Sequence, residues 1–118
     1  KANAGSVLES HYHPLLRRMR RLHCPMLTAI NGAAAGAGMD MATMADIRFA
    51  SSTARVGMTY VRMGLIPGDG GTFTLPRIVG TQKALDMIWT GKMITAQEAL
   101  DGVVKDWTAT FNKYNRYK

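Results

Sequence analysis

The chain has 118 residues, 47% of them hydrophobic, and carries a formal net charge of +7. That is one domain at most, with apolar content suited to a modest core and too high for a disordered chain. Its apolar runs stop well short of the ~18 residues of a membrane span, no secretory leader is visible, and the lone Cys24 cannot form an internal disulfide. A reducing location is expected, the cytoplasm or, in a eukaryote, the mitochondrial matrix.

Ser6 to Leu22 reads as a helix, with Leu15, Met19 and Leu22 on one face and Arg17, Arg18, Arg20 and Arg21 clustered on the other. Pro14 marks its first turn or a kink. Pro25 opens a strand carrying Leu27 and Ile30, and a Gly/Ala turn leads to a helix over Met39–Ala45 whose methionines are expected in the core. Ile47–Ala50 and Arg55–Gly57 read as short strands, with a turn at Ser51 and Ser52. Gly71–Val79 is expected to be helical on both sides of a break at Pro76. Thr81 can cap a further helix that runs to Thr90 and closes at Gly91. Thr95 and Glu98 have capping-box spacing, and Gly102 can stop the helix they begin. In the tail, Trp107, Phe111 and Tyr114 fall at helical spacing among Lys and Arg.

Two segments carry chemistry. Asn31–Asp40 is built almost wholly of Gly and Ala, so main chain can approach a ligand closely. If a helix opens at Gly38 or Met39, its unpaired N–H groups can hold a negative oxygen, with the Asp40 carboxylate beside them. An anion hole next to an acid or base suits enolate chemistry; the alternative is a tight strand–helix packing turn. The second segment, Gly64–Thr72, holds Asp69 among Pro67, Gly68, Gly70 and Gly71.

Together with Ala29-Ile-Asn-Gly32, Gly36-Ala-Gly-Met-Asp40, Ala45-Asp-Ile47, Leu75-Pro-Arg77, Val79-Gly80, Thr90-Gly91 and Ile94–Ala99, these segments form an ordered set. From about Pro25 to Gly102 the chain resembles the crotonase family, the enoyl-CoA hydratases and isomerases. The resemblance implies an α/β fold, a spiral of ββα units, of which residues 1–104 would be the central and incomplete part. Residues 105–118 form a basic, aromatic tail that does not follow the family pattern.

For the site, the resemblance implies an acyl-CoA thioester whose oxygen is gripped by two backbone N–H groups. Ala37 matches the second donor; the first would lie upstream of Lys1. Asp40 stands where the first catalytic glutamate would be, one methylene shorter. Tyr60 stands in place of the second, and a phenol with an unperturbed pKa of about 10 is no equivalent base at neutral pH. Asp69 offers a replacement, since some family isomerases carry an aspartate there; a carboxylate buried near another would have its pKa raised. The alternative for Asp69 is a hydrogen bond to its own turn. Gly36, Tyr60, Pro67 and Gly68 would contact substrate. The reaction is expected to need no metal and no redox cofactor, coenzyme A entering only as part of the substrate.

The resemblance further implies homotrimers or hexamers for a full-length chain, and no activity for these residues alone. One alternative function is a non-catalytic crotonase-like fold that binds RNA through Arg17–Arg21 and the Trp107–Lys118 tail. A metal site at His11, His13, His23 and Cys24 is disfavoured because no second cluster completes it.

Overall fold

A computed structural model describes residues 3–103. The chain begins in one continuous helical stretch: α1 (Ala4–Val7), a π-helical turn (Leu8–Tyr12) and α2 (His13–Met19). Pro14 lies in the first turn of α2. Its ring nitrogen cannot donate to the Ser10 carbonyl, and the wider turn just before it absorbs that missing bond.

Strand β1 (Leu27–Ile30) pairs in parallel with β3 (Ile47–Ala50), Leu27 opposite Ile47. A second, three-stranded sheet has the order β2 (Ala33–Ala35), β4 (Arg55–Gly57), β5 (Ile94–Thr95). The β2–β4 pair is parallel and the β4–β5 pair antiparallel. Strand β2 corrects the sequence reading, which had only a turn between β1 and the next helix. Three alanines have little intrinsic preference for a strand; the hydrogen bonds offered by β4 make them one.

Helix α3 (Ala37–Met44) follows β2 directly and starts two residues earlier than the sequence suggested. Arg48 closes its far end, donating to the carbonyls of Thr43 at 3.1 Å, Ala42 at 3.4 Å and Ala45. A cation at a helix C-terminus also complements the helix dipole. Asp46 Oδ2 accepts from the Met26 amide at 2.7 Å and so ties the end of α3 to the start of β1.

After β4 comes a 3-10 helix (Thr59–Met63) that the sequence did not announce, then the glycine-rich loop, α4 (Gly71–Val79) and α5 (Thr81–Thr90). Pro76 does not break α4: one bond to the Thr72 carbonyl is lost, and the helix continues to Val79. Gly80, at φ 79° and ψ 155°, rather than Thr81, caps α5, with no side-chain cap. Gly91 ends it in a left-handed conformation, its amide bonded to the Met87 carbonyl at 3.1 Å. The capping box is present: Glu98 N–H donates to Thr95 Oγ1 at 3.1 Å and Thr95 N–H to Glu98 Oε2 at 2.7 Å. Helix α6 (Ala96–Glu98) does not stop at Gly102 but runs into a π-helical turn, Ala99–Val103. The tail from Trp107 lies outside the described residues.

The core gathers Met39 from α3, Val56 and Met58 from and after β4, Tyr60, Leu75 from α4, Ala84 and Met87 from α5, and Ile94 from β5. The methionines expected to pack inside include Met39, Met58 and Met87, the last two fully buried. This core fixes α3, the 3-10 helix and the N-terminus of α4 against one another, and the buried polar groups lie where those three meet.

Candidate active site

Gly36 turns the chain from β2 into α3. Its φ of 53° with ψ of −121° is a conformation that a side chain makes costly. Its amide donates to the Gly57 carbonyl at 3.0 Å, which anchors the turn to β4. The first bond of α3 runs from Asp40 N–H to the Gly36 carbonyl at 3.0 Å. The amides of Ala37, Gly38 and Met39 precede that bond and have no intrahelical acceptor. Ala37 and Asp40 are three residues apart and share a face of the helix.

Asp40 is 0% exposed and Asp69 2%. The structure brings both to one hydroxyl. Tyr60 Oη lies 2.8 Å from Asp40 Oδ2 and 2.8 Å from Asp69 Oδ2. The remaining oxygens, Asp40 Oδ1 and Asp69 Oδ1, are buried without a hydrogen bond among the described residues. A buried polar oxygen without a partner costs free energy, and such atoms concentrate where a site awaits a ligand or a proton.

Burial raises the Asp40 pKa from 3.8 to about 6, and the negative charge of Asp69 adds to the rise. The Tyr60 hydroxyl and the amides of Gly71 and Asp69 pull the other way by favouring the carboxylate. Burial, with the two carboxylates beside it, drives the Tyr60 phenol far above its ordinary range. Tyr60 is therefore a neutral donor and no base at neutral pH.

Close packing holds this group. A Cβ on Gly71 would overlap Asp40 Oδ1 and stand 2.9 Å from Met58 Cε. Thr43 Oγ1 donates to the Asp40 carbonyl at 2.7 Å and meets Thr74 Oγ1 at 2.7 Å, which lashes α3 to α4. From the other side His13 Nε2 lies 3.2 Å from the Gly68 carbonyl. Gly68 faces Leu8 and His13 of the N-terminal stretch, so its carbonyl supports the loop. Pro67 is buried.

Of the residues singled out from sequence, Gly36, Ala37, Asp40, Tyr60 and Asp69 converge, and Pro67 and Gly68 lie in the adjoining loop. Sequence reasoning missed the hydroxyl shared by two carboxylates, the packing role of Gly71, the bond of His13 to the loop, and Thr43 and Thr74 altogether. The family resemblance sets Tyr60 in place of a catalytic glutamate, and its hydroxyl is the available signal. Nothing local links Thr43 to Thr74 or His13 to Gly68.

The other sequence candidates lie elsewhere. His11 Nδ1 is 2.7 Å from Ser10 Oγ, and no group of His, Cys, Asp or Glu that could hold a metal occurs among the described residues. Arg17, Arg18, Arg20 and Arg21 are exposed on and after α2, and Arg20 also stacks over Phe73 at 4.8 Å. A cleft of about 500 Å³ lined by Arg55, Arg62 and Lys92 opens beside Gly32 and Ala33, and none of Asp40, Tyr60 and Asp69 lines it. No helix among the described residues is long and apolar enough to cross a membrane.

Residues 1–112 match the family model described as enoyl-CoA hydratase/isomerase. The chain belongs to the enoyl-CoA hydratase/isomerase family. It is 40% identical over 95 residues to the 1,2-epoxyphenylacetyl-CoA isomerase of Escherichia coli K12, covering 80% of this chain and 36% of that one. It is 41% identical over 88 residues to an enoyl-CoA isomerase/hydratase of Mycosarcoma maydis, covering 74% and 32%. Among solved structures, an enoyl-CoA hydratase from Bacillus anthracis superposes with a TM-score of 0.80 at 33% identity, over 98% of this chain and 47% of the other. The fold is that of the crotonase superfamily, and the chain spans less than half the length of each of these three relatives.

Proposed function

We propose that this chain is the catalytic centre of an enzyme that shifts the double bond of an enoyl-CoA, working through a thioester enolate. One observation carries the reading: Asp40 is fully buried one helical turn from the Ala37 amide, which has no intrahelical acceptor, and is joined through the Tyr60 hydroxyl to a second buried carboxyl. In this mechanism the Asp40 carboxylate takes the proton from the carbon beside the thioester, or from the vinylogous one. The electron pair left behind moves onto the thioester oxygen, where the Ala37 N–H holds it. A carboxyl group then returns a proton to the other carbon. Bonds and charges balance without a metal or a redox cofactor. Coenzyme A serves only as the handle of the substrate.

The Ala37 amide is expected to supply much of the stabilisation, since one preorganised donor is worth about 3 kcal/mol in such a site. A homotrimer or hexamer is the expected assembly of the whole protein. Isomerisation is favoured over hydration because Tyr60 stands where hydration would need a second base to activate water. The family membership speaks for acyl-CoA chemistry and offers no support to RNA binding.

The deciding experiment assays the full-length protein with 2-enoyl-CoA and 3-enoyl-CoA substrates side by side. Faster turnover of the 3-enoyl substrate, lost in Asp40→Asn, is the expected result. Hydration that survives replacement of both Asp40 and Asp69 would overturn the mechanism.

A further inference from the structure

A tyrosine hydroxyl has one hydrogen to give and lone pairs to receive with. Tyr60 Oη nevertheless sits 2.8 Å from a carboxyl oxygen of Asp40 and equally far from one of Asp69. With both carboxyls ionised, one of these contacts would set two oxygens together with no hydrogen between them, inside the protein and beside two negative charges. The arrangement is satisfied when a second proton sits on one carboxyl and is donated to Tyr60, while Tyr60 donates to the other. Tyr60 Oη is equally far from the two carboxyl oxygens, so the geometry allows it to face either one as donor.

We infer that the Tyr60 hydroxyl is a two-sided proton bridge that joins Asp40 and Asp69 into one acid–base unit. A proton acquired by Asp40 passes to Tyr60 Oη as the hydrogen of Tyr60 passes to Asp69. One O–H bond breaks and one forms at each end, and the phenol is restored. The carboxyl that takes the proton from substrate thus need not be the one that returns it. Tyr60 is a positioning residue here: it never touches the reacting carbons.

Few other groups impinge on the unit. Among the described residues, the ionisable groups acting on Asp40 are Asp69 and Tyr60, and those acting on Tyr60 are the two aspartates. Helix α4 brings Gly71, the residue after β4 is Met58, and the N-terminal stretch meets Gly68 through Leu8 and His13. The other oxygens, Asp40 Oδ1 and Asp69 Oδ1, are buried, and Asp40 Oδ1 packs against Gly71.

The bridge is a property of the free protein, and only its use in turnover rests on the enoyl-CoA reading. It is tested first without substrate, by infrared titration of the full-length protein carrying isotope-labelled aspartate. Wild type should show a buried protonated carboxyl that titrates near pH 6. Tyr60→Phe removes a donor to the carboxylate and should raise that midpoint by about one to two pH units. Asp69→Asn removes a like charge and leaves the hydroxyl wholly to Asp40, so it should lower the midpoint. Should Tyr60→Phe fail to fold, the direction seen in Asp69→Asn decides alone. Unchanged midpoints, or no buried carboxyl titrating at all, would overturn the bridge.

With substrate, Tyr60→Phe should lower kcat on the order of a hundredfold with little change in KM. Deuterium removed from one carbon should be returned to the other in higher yield than in wild type, because Asp40 can no longer pass it on. Equal deuterium retention in the two proteins would sink the relay. Midpoints that shift in a protein that turns over no enoyl-CoA would instead refute the proposed reaction and leave the bridge standing.

Discussion

At Asp40, burial that suits the proposed chemistry works against stability. The Asp40 pKa is 3.8 in an unfolded chain and about 6 here, mainly through burial. Ionising it therefore costs the folded state: its contribution is most favourable below pH 3.8 and is lost as pH rises through about 6. The rise corresponds to as much as about 3 kcal/mol. Asp40→Asn is expected to lower turnover by about 10²–10⁴-fold and yet unfold at higher denaturant than wild type near neutral pH. The difference should shrink as the pH of the urea melt is lowered, because wild-type Asp40 then becomes neutral too. In wild type, a reaction that needs the Asp40 carboxylate should slow as pH falls below about 6, and a rate–pH profile of kcat/KM reads this directly. A profile flat through that region would argue that Asp40 is not the base.

At the scale of elements, the site depends on two glycine turns more than on its own side chains. Gly36 sets the direction of the Ala37 amide, and its φ of 53° makes a side chain costly. Gly36→Ala should lower kcat far more than it lowers stability, the latter by about 1–3 kcal/mol. Gly71→Ala is a different case, because its methyl group would overlap Asp40 Oδ1 and crowd Met58. A loss of about 1–3 kcal/mol in chemical denaturation is expected from such overpacking, together with loss of activity. The capping box offers a control remote from the chemistry. Thr95→Ala removes the acceptor for the Glu98 amide and should cost about 1 kcal/mol with turnover unchanged at a temperature where the fold persists.

Seen whole, the described residues expose much apolar surface, including Ile66 at 79%, Trp89 at 70%, Met63 at 67% and Leu27 at 59%. A surface of this kind calls for a covering partner, either more of the same protein or another copy. A polypeptide of these residues alone is expected to associate at micromolar concentration and to show no turnover, whereas the full-length enzyme is expected to be active. Sedimentation velocity and the two-substrate assay check both halves. A clean, active monomer would show that the exposed faces need no cover.

The amino-acid sequence by itself determined the family, the strand before the glycine turn and the helix after it, the helix at Thr81–Thr90 and the capping box at Thr95. These follow from local signals: glycines at set spacings, apolar periodicity, and a cap residue three places from its glutamate. It also singled out Asp40, Asp69 and Tyr60 as candidate site residues, through their positions in the family pattern. Tertiary structure alone decided the rest. Ala33–Ala35 is a strand because Arg55–Gly57 offers it hydrogen bonds, and α4 survives Pro76 because packing on Leu75 outweighs one lost bond. The link between Asp40 and Asp69 was beyond sequence reach for the same reason. It depends on where a 3-10 helix sets one hydroxyl between two distant carboxyls, and distance in space is not written in spacing along the chain.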